Sequence, residues 1–183
     1  MTAHDRAIAQ QVAALLESGC AIIDLETTGL SDDPRVAVVE IGVIDQDGVV
    51  LLNTLVRPKR RIPAAASAVH GITNQDVKDA PPFEQVHPQL AACVAGRHVI
   101  AYNADFEQAI LDAVCQRLKL PLPVPQAWHC AMRLYAAYRR SERFFRLGAA
   151  CKHERIAVSN AHRALGDCSL TLSLLRAMAT PAG

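Results

Sequence analysis

The chain has 183 residues, 51% of them apolar and 20% charged, with a formal net charge of +1. A core of that size needs neither disulfides nor structural metal, and so small a net charge excludes whole-surface attraction of a polyanion, leaving that task to local patches. No apolar run approaches the ~18 residues of a membrane helix, and Asp5, Arg6, Gln10 and Gln11 interrupt any signal-peptide block at the N-terminus.

Ala3 to Ser18 carries Ile8, Val12, Leu15 and Leu16 at helical spacing before Gly19, which predicts an amphipathic helix over one side of a sheet. A first strand is predicted from Cys20 to Glu26, then a loop of turn formers through Gly29, Ser31, Asp32, Asp33 and Pro34. Val36 to Asp45 and Val49 to Val56 read as two further strands joined by the Asp47-Gly48 hairpin signal. These three strands form an antiparallel meander. Glu40 interrupts the second of them and reads as a polar residue on its less buried face, not as a ligand. Arg57, Lys59, Arg60 and Arg61 follow as a short basic cluster, read either as a solvated loop or as a nucleic-acid contact.

Ile62 to Phe83 reads as a short helix with irregular coil, and Phe83 to Val94 as a helix bent at Pro88. Arg97 to Tyr102 is a fourth strand, Ala104 to Leu118 a helix, and Trp128 to Ala131 a short fifth strand after the stiff Pro121, Pro123, Pro125 connector. Helices are predicted at Met132 to Arg140, Arg146 to Lys152 and Arg163 to Met178. This order of elements gives one α/β domain over residues 1–183, with a helix at 1–18 and a core at 19–179, in three layers around a mixed sheet. The six cysteines (Cys20, Cys93, Cys115, Cys130, Cys151, Cys168) show no C-x-x-C spacing and lie mostly in apolar segments. They read as reduced thiols in a cytoplasmic protein.

Chemistry concentrates in three places. Asp24 and Glu26 close the first strand; two apart, they share one face and can bind one divalent cation or two neighbouring ones. Unscreened, they would raise each other's pKa. Asp105 and Glu107 open the helix after the fourth strand, where acids also complement the helix dipole. In Asn160-Ala161-His162-Arg163-Ala164-Leu165-Gly166-Asp167, His162 precedes the last helix and Asp167 lies in its first turns. The other histidines (His4, His70, His87, His98, His129, His153) have no evident task.

Ile23-Asp24-Leu25-Glu26-Thr27-Thr28-Gly29-Leu30, Val69-His70-Gly71-Ile72-Thr73 and His162-Arg163-Ala164-Leu165-Gly166-Asp167, in that order, resemble motifs of the DEDDh family of 3′-5′ exonucleases. That group includes RNase T and the proofreading epsilon subunit of bacterial DNA polymerase III. The resemblance runs from Ala21 to Met178. It implies a ribonuclease H-like α/β/α fold with a mixed five-stranded sheet. Asp24, Glu26, a second-motif acid and Asp167 would hold two Mg²⁺ or Mn²⁺ ions, with His162 as general base releasing nucleoside 5′-monophosphates.

The second motif departs from the family pattern: Tyr102-Asn103-Ala104-Asp105-Phe106-Glu107 puts Glu107 where the family has Asp. Asp105, about 160° away on a helix, is the reserve ligand. By the same resemblance, Thr27, Gly29 and Leu30 hold the terminal nucleotide, with an ordinary core role the alternative for Leu30. Arg139, Arg140, Arg143 and Arg146, with Phe144 and Phe145, would either steer a single strand or end a helix. The expected partner is a single-stranded or frayed 3′ end, DNA or RNA; a polymerase partner and self-association stay open. The alternatives are a binding relative with impaired catalysis, or a metal-dependent nucleotide phosphohydrolase.

Overall fold

The computed structural model describes residues 3–158 and 162–180; Asn160 and Ala161 of the third motif lie outside them. The chain begins with α1 (Ala3–Glu17), followed by β1 (Ala21–Thr27), β2 (Val38–Asp45) and β3 (Val50–Leu55). Next come α2 (Ala64–His70), α3 (Phe83–Val94), β4 (His98–Ala101), α4 (Ala104–Leu118) and β5 (Ala127–Cys130). It ends with α5 (Ala131–Tyr138), α6 (Leu147–His153) and α7 (Ala164–Ala179).

The sheet has five strands in the order β3-β2-β1-β4-β5. β1, β2 and β3 are antiparallel neighbours, while β4 runs parallel to β1 and β5 parallel to β4. The hairpin between β2 and β3 turns where expected, with Asp45 accepting the N–H of Asp47 and of Val49 at 2.9 Å and Gly48 at φ 89°.

Strand alternation sorts the core into two layers. Ile23, Leu25, Ile41 and Val43 pack with α3 and α4 on one face. Ile22, Ile44 and Ile100 pack with α1, α5, α6 and α7 on the other. Helices thus cover both faces of a mixed sheet, the three-layer arrangement the sequence predicts. All six cysteines are unpaired and four are buried, as small core residues. No helix among the described residues is long and apolar enough to cross a membrane.

Two details fix the end of the sheet that matters. β1 pairs with β2 residue for residue until Glu26 faces Glu40; beyond it the register shifts and Thr27 faces Val38. This bulge turns the chain after Glu26 out of the sheet. The loop that follows is tied back, with the Thr28 N–H donating to the Ala37 carbonyl and the Ala37 N–H to Thr28 Oγ1, both at 2.9 Å.

Candidate active site

Asp24 and Glu26 have the parity of Ile22, so they stand on the face that α7 covers. Asp167 descends from the first turns of α7. Asp24, Glu26 and Asp167 each offer a carboxylate oxygen within 4.8 Å of the other two. Glu107, on the first turn of α4, is buried and lies near enough for its charge to act on Asp24, outside the trio of mutually close oxygens.

The two second-motif acids sit in opposite environments. Asp105 points outward, exposed and paired with the Arg133 guanidinium. Glu107 faces inward, and its Oε2 is buried with no hydrogen-bond partner among the described residues. Glu107 is also the nearby charge that most raises the Asp24 pKa.

Such crowding is expensive without a cation. Burial first, then Glu107, Glu26 and Asp167, hold the Asp24 carboxyl far above the usual carboxylate range. Burial, with Asp167 and Glu40 behind it, raises Glu26 to about 7. Burial likewise raises Asp167, opposed by the His162 backbone N–H and by the charge of the His162 ring. Oxygen-only donors and an orphaned buried carboxylate oxygen suit a hard divalent cation. The residues present therefore fit the metal that the motifs imply.

Glu40 corrects the sequence reading. It is not on a less buried face: its side chain is 3% exposed, against 52% for its partner Arg163. Both Glu40 carboxylate oxygens accept from Arg163 Nε at 3.0 Å, and Oε2 also accepts the Ala164 N–H at 2.9 Å. Glu40 lies directly across the strand pair from Glu26, a like-charge juxtaposition that would loosen the sheet. The Arg163 guanidinium compensates both, since it also lowers the Glu26 pKa.

The contact pins the N-terminus of α7 against β2. Gly42 makes the approach possible: a β-carbon there would sit 2.7 Å from both the Ala164 carbonyl carbon and the Leu165 nitrogen. The sequence carries a signal for this contact, a lone acid in an apolar strand two residues before a glycine.

His162 is exposed and holds a left-handed backbone, φ 65°, a conformation non-glycine residues rarely adopt. Its N–H donates to Asp167 Oδ1 at 3.4 Å, so the loop before α7 and the carboxylate are set together.

Beside the carboxylates lies a cleft of about 340 Å³, lined by Thr27, Thr28, Gly29 and Leu30 on one side and Val69 and His70 on the other. Leu30 is 68% exposed and Val69 60%; a core role for Leu30 is therefore set aside. Thr27 Oγ1 donates to the Gly29 carbonyl at 2.6 Å, holding the tight loop.

His70, without a task in the sequence, is buried in this wall. Its Nδ1 accepts the Ile72 N–H at 3.0 Å, which leaves the proton of the neutral ring on Nε2. Burial lowers the His70 pKa, with a loose contact to the Thr27 backbone opposing it; no well-aligned partner meets Nε2 among the described residues.

His87, His98, His129, Arg139 and Arg140 hold structural contacts. His87 bonds the Pro121 carbonyl at 2.7 Å, and His98 bonds His129 at 2.9 Å across β4 and β5. Arg139 pairs with Glu154 and Arg140 with Asp5. Phe145 packs into the α7-side core, whereas Phe144 is exposed.

Residues 21–175 match the family model described as RNase T, exonuclease. The chain is 36% identical to the "Uncharacterized exonuclease CP81" of Escherichia phage 186, over 98% of this chain and 97% of that one. It is 32% identical to "Exodeoxyribonuclease 10" of Escherichia coli K12, over 84% of this chain and 66% of the relative. Among solved structures, "Exonuclease X in complex with 5′ overhanging duplex DNA" aligns with TM-score 0.68 and 31% identity, covering 87% of this chain and 90% of that one. The nuclease domain of 3′hExo, a DEDDh family member bound to rAMP, aligns with TM-score 0.76 at 18% identity, over 87% of this chain and 91% of that one, a likeness of fold.

Proposed function

The chain belongs to the RNase T exonuclease family, and on that premise we propose that it shortens nucleic-acid strands from the 3′ end, with Asp24, Glu26, Glu107 and Asp167 holding two Mg²⁺ or Mn²⁺ ions and His162 as general base. The observation that carries this reading is the convergence of Asp24, Glu26 and Asp167 within 4.8 Å, with the buried Glu107 near enough for its charge to act on Asp24. Bound there, divalent cations would neutralise charge on the scissile phosphate and acidify the attacking water.

The chain's own residues supply the rest. The exposed imidazole of His162, whose charge is felt by Asp167, takes the proton of the attacking water. The bond from phosphorus to the 3′ oxygen of the penultimate nucleotide breaks, so the product is a nucleoside 5′-monophosphate and the shortened strand regains a 3′ hydroxyl. Thr27, Gly29 and Leu30 cradle the terminal nucleotide, whose apolar surface covers Leu30 and Val69. The His70 ring forms part of that wall. The cleft volume of about 340 Å³ falls within the ~300–1,000 Å³ of small-ligand sites.

The test is digestion of a 5′-labelled single strand, DNA and RNA in parallel, with Mg²⁺ or Mn²⁺. A ladder shortening stepwise from the 3′ end is expected, abolished in Asp24→Ala and in His162→Ala while both variants keep a cooperative melting transition. Full activity in either variant would refute the roles assigned. Binding without digestion, or hydrolysis of mononucleotides alone, would overturn the exonuclease reading.

A further inference from the structure

The sheet face opposite the carboxylates carries a second concavity. Its floor is Val38, Val56, Phe83, Val114 and Leu118, and it encloses about 220 Å³. These side chains belong to the core layer of Leu25 and Ile41, not to the layer beneath α7. The concavity's lining shares no residue with the cleft beside Glu26 in which the 3′ end is proposed to sit.

The rim is strongly cationic. Arg35, Arg57, Lys59, Arg60 and Arg117 line it, with Glu84 the one acid among the lining side chains. Lys59 pairs with Glu84 at 2.8 Å, while Arg35 and Arg60 share Asp33 at 3.8 and 3.4 Å. Arg57 donates to the Lys78 carbonyl, and Arg117 to those of Pro34 and Val36, neutral acceptors that cancel no charge. Five cations thus face two carboxylates. That local excess is larger than the +1 of the entire chain.

We propose that this cleft docks an acidic peptide segment of a partner protein, one bulky apolar side chain filling the floor and its flanking carboxylates meeting the rim. Charge complementarity selects an anionic occupant, and the floor selects an apolar anchor. A nucleotide fits less well. The cavity is smaller than the ~300 Å³ at which small-ligand sites begin. Its lining side chains are apolar or charged, without a neutral amide or hydroxyl to meet the edges of a base. A phosphate backbone alone would satisfy the rim and leave the apolar floor uncovered.

The experiment selects displayed random dodecapeptides on the full chain. The tightest binder is then labelled and its affinity measured by fluorescence anisotropy against the wild type and Arg35→Glu/Lys59→Glu. Both substituted side chains are largely exposed, at 70% and 73%, so the fold is expected to survive. Selected sequences should place Leu, Ile, Phe or Trp between Asp and Glu, and binding should weaken with salt. The double charge reversal should weaken binding about tenfold or more, while 3′ digestion of a short oligonucleotide is unchanged. A selection without that acidic-apolar pattern, or a peptide indifferent to the reversal, overturns the proposal. So does displacement of the peptide by a single-stranded oligonucleotide that crosslinks to residues 57–60.

Discussion

Removal of Arg163 and removal of Glu40 break the same ion pair, yet the two changes are expected to differ severalfold in cost. In Arg163→Met the survivor is a carboxylate whose side chain is 3% exposed. It keeps the Ala164 N–H at 2.9 Å and faces Glu26 across the strand pair without compensation. Leaving a buried charge unpaired costs about 3–5 kcal/mol. For a chain of 183 residues, at about 2–4 °C per kcal/mol, the melting temperature should fall by roughly 6–20 °C.

In Glu40→Gln the survivor is a guanidinium 52% exposed to water, and the amide oxygen still accepts the Ala164 N–H. Solvent screens the orphaned cation, so the loss should stay near 1 kcal/mol. Scanning calorimetry of both variants without metal reads the difference directly. Single-turnover digestion should follow the same order, because the pair holds the helix end that carries Asp167. Glu40→Gln losing as much stability as Arg163→Met would refute the asymmetry and, with it, the burial reasoning behind it.

Three further outcomes follow from the same geometry. Glu26 titrates at about 7 in the folded protein against an ordinary 4.5, so its ionised form is the one the fold disfavours. The metal-free protein should therefore lose stability as pH rises from about 4.5 through 7, and Mn²⁺ should raise the melting temperature more at pH 8 than at pH 5; a metal-free melting temperature rising over that range would contradict the shift. Gly42→Ala places a methyl 2.7 Å from the backbone of Ala164 and Leu165, which should cost about 1–3 kcal/mol and lower kcat through displaced Asp167; unchanged turnover would mean that α7 docks more loosely than the contact indicates. Glu107→Gln should reduce turnover at least tenfold more than Asp105→Asn, since Asp105 is spent on Arg133 at the surface; the reverse order in a steady-state assay would reassign the ligand.

Much of this was legible in the sequence because periodicity and motif coincide. α4 spans Ala104–Leu118, the predicted bounds, since its apolar face repeats at helical spacing without interruption. The parity of Asp24 and Glu26 follows from strand geometry, and the structure keeps them on one face beside Asp167.

What was not legible depends on long-range contact. Glu40 lies 123 residues from Arg163, and a charge in a strand looks solvent-facing until its partner is in place. Leu30 shows the converse: an apolar residue beside an apolar strand suggests burial, and only the bulge at Glu26/Thr27 turns that loop outward. For Asp105 against Glu107 the sequence supplies opposite helix faces, but which face meets the sheet is set by how α4 packs.

Hydrolysis at the clustered acids requires that they bind divalent metal. Calorimetric titration of Mn²⁺ into wild type and Asp24→Asn tests it most directly. Saturable binding of two ions per chain is expected for wild type and its loss for Asp24→Asn, whose metal-free fold should melt higher because it no longer buries a carboxyl whose ionisation is opposed by burial, then by Glu107 and Glu26. Equal Mn²⁺ binding by both proteins would contradict it.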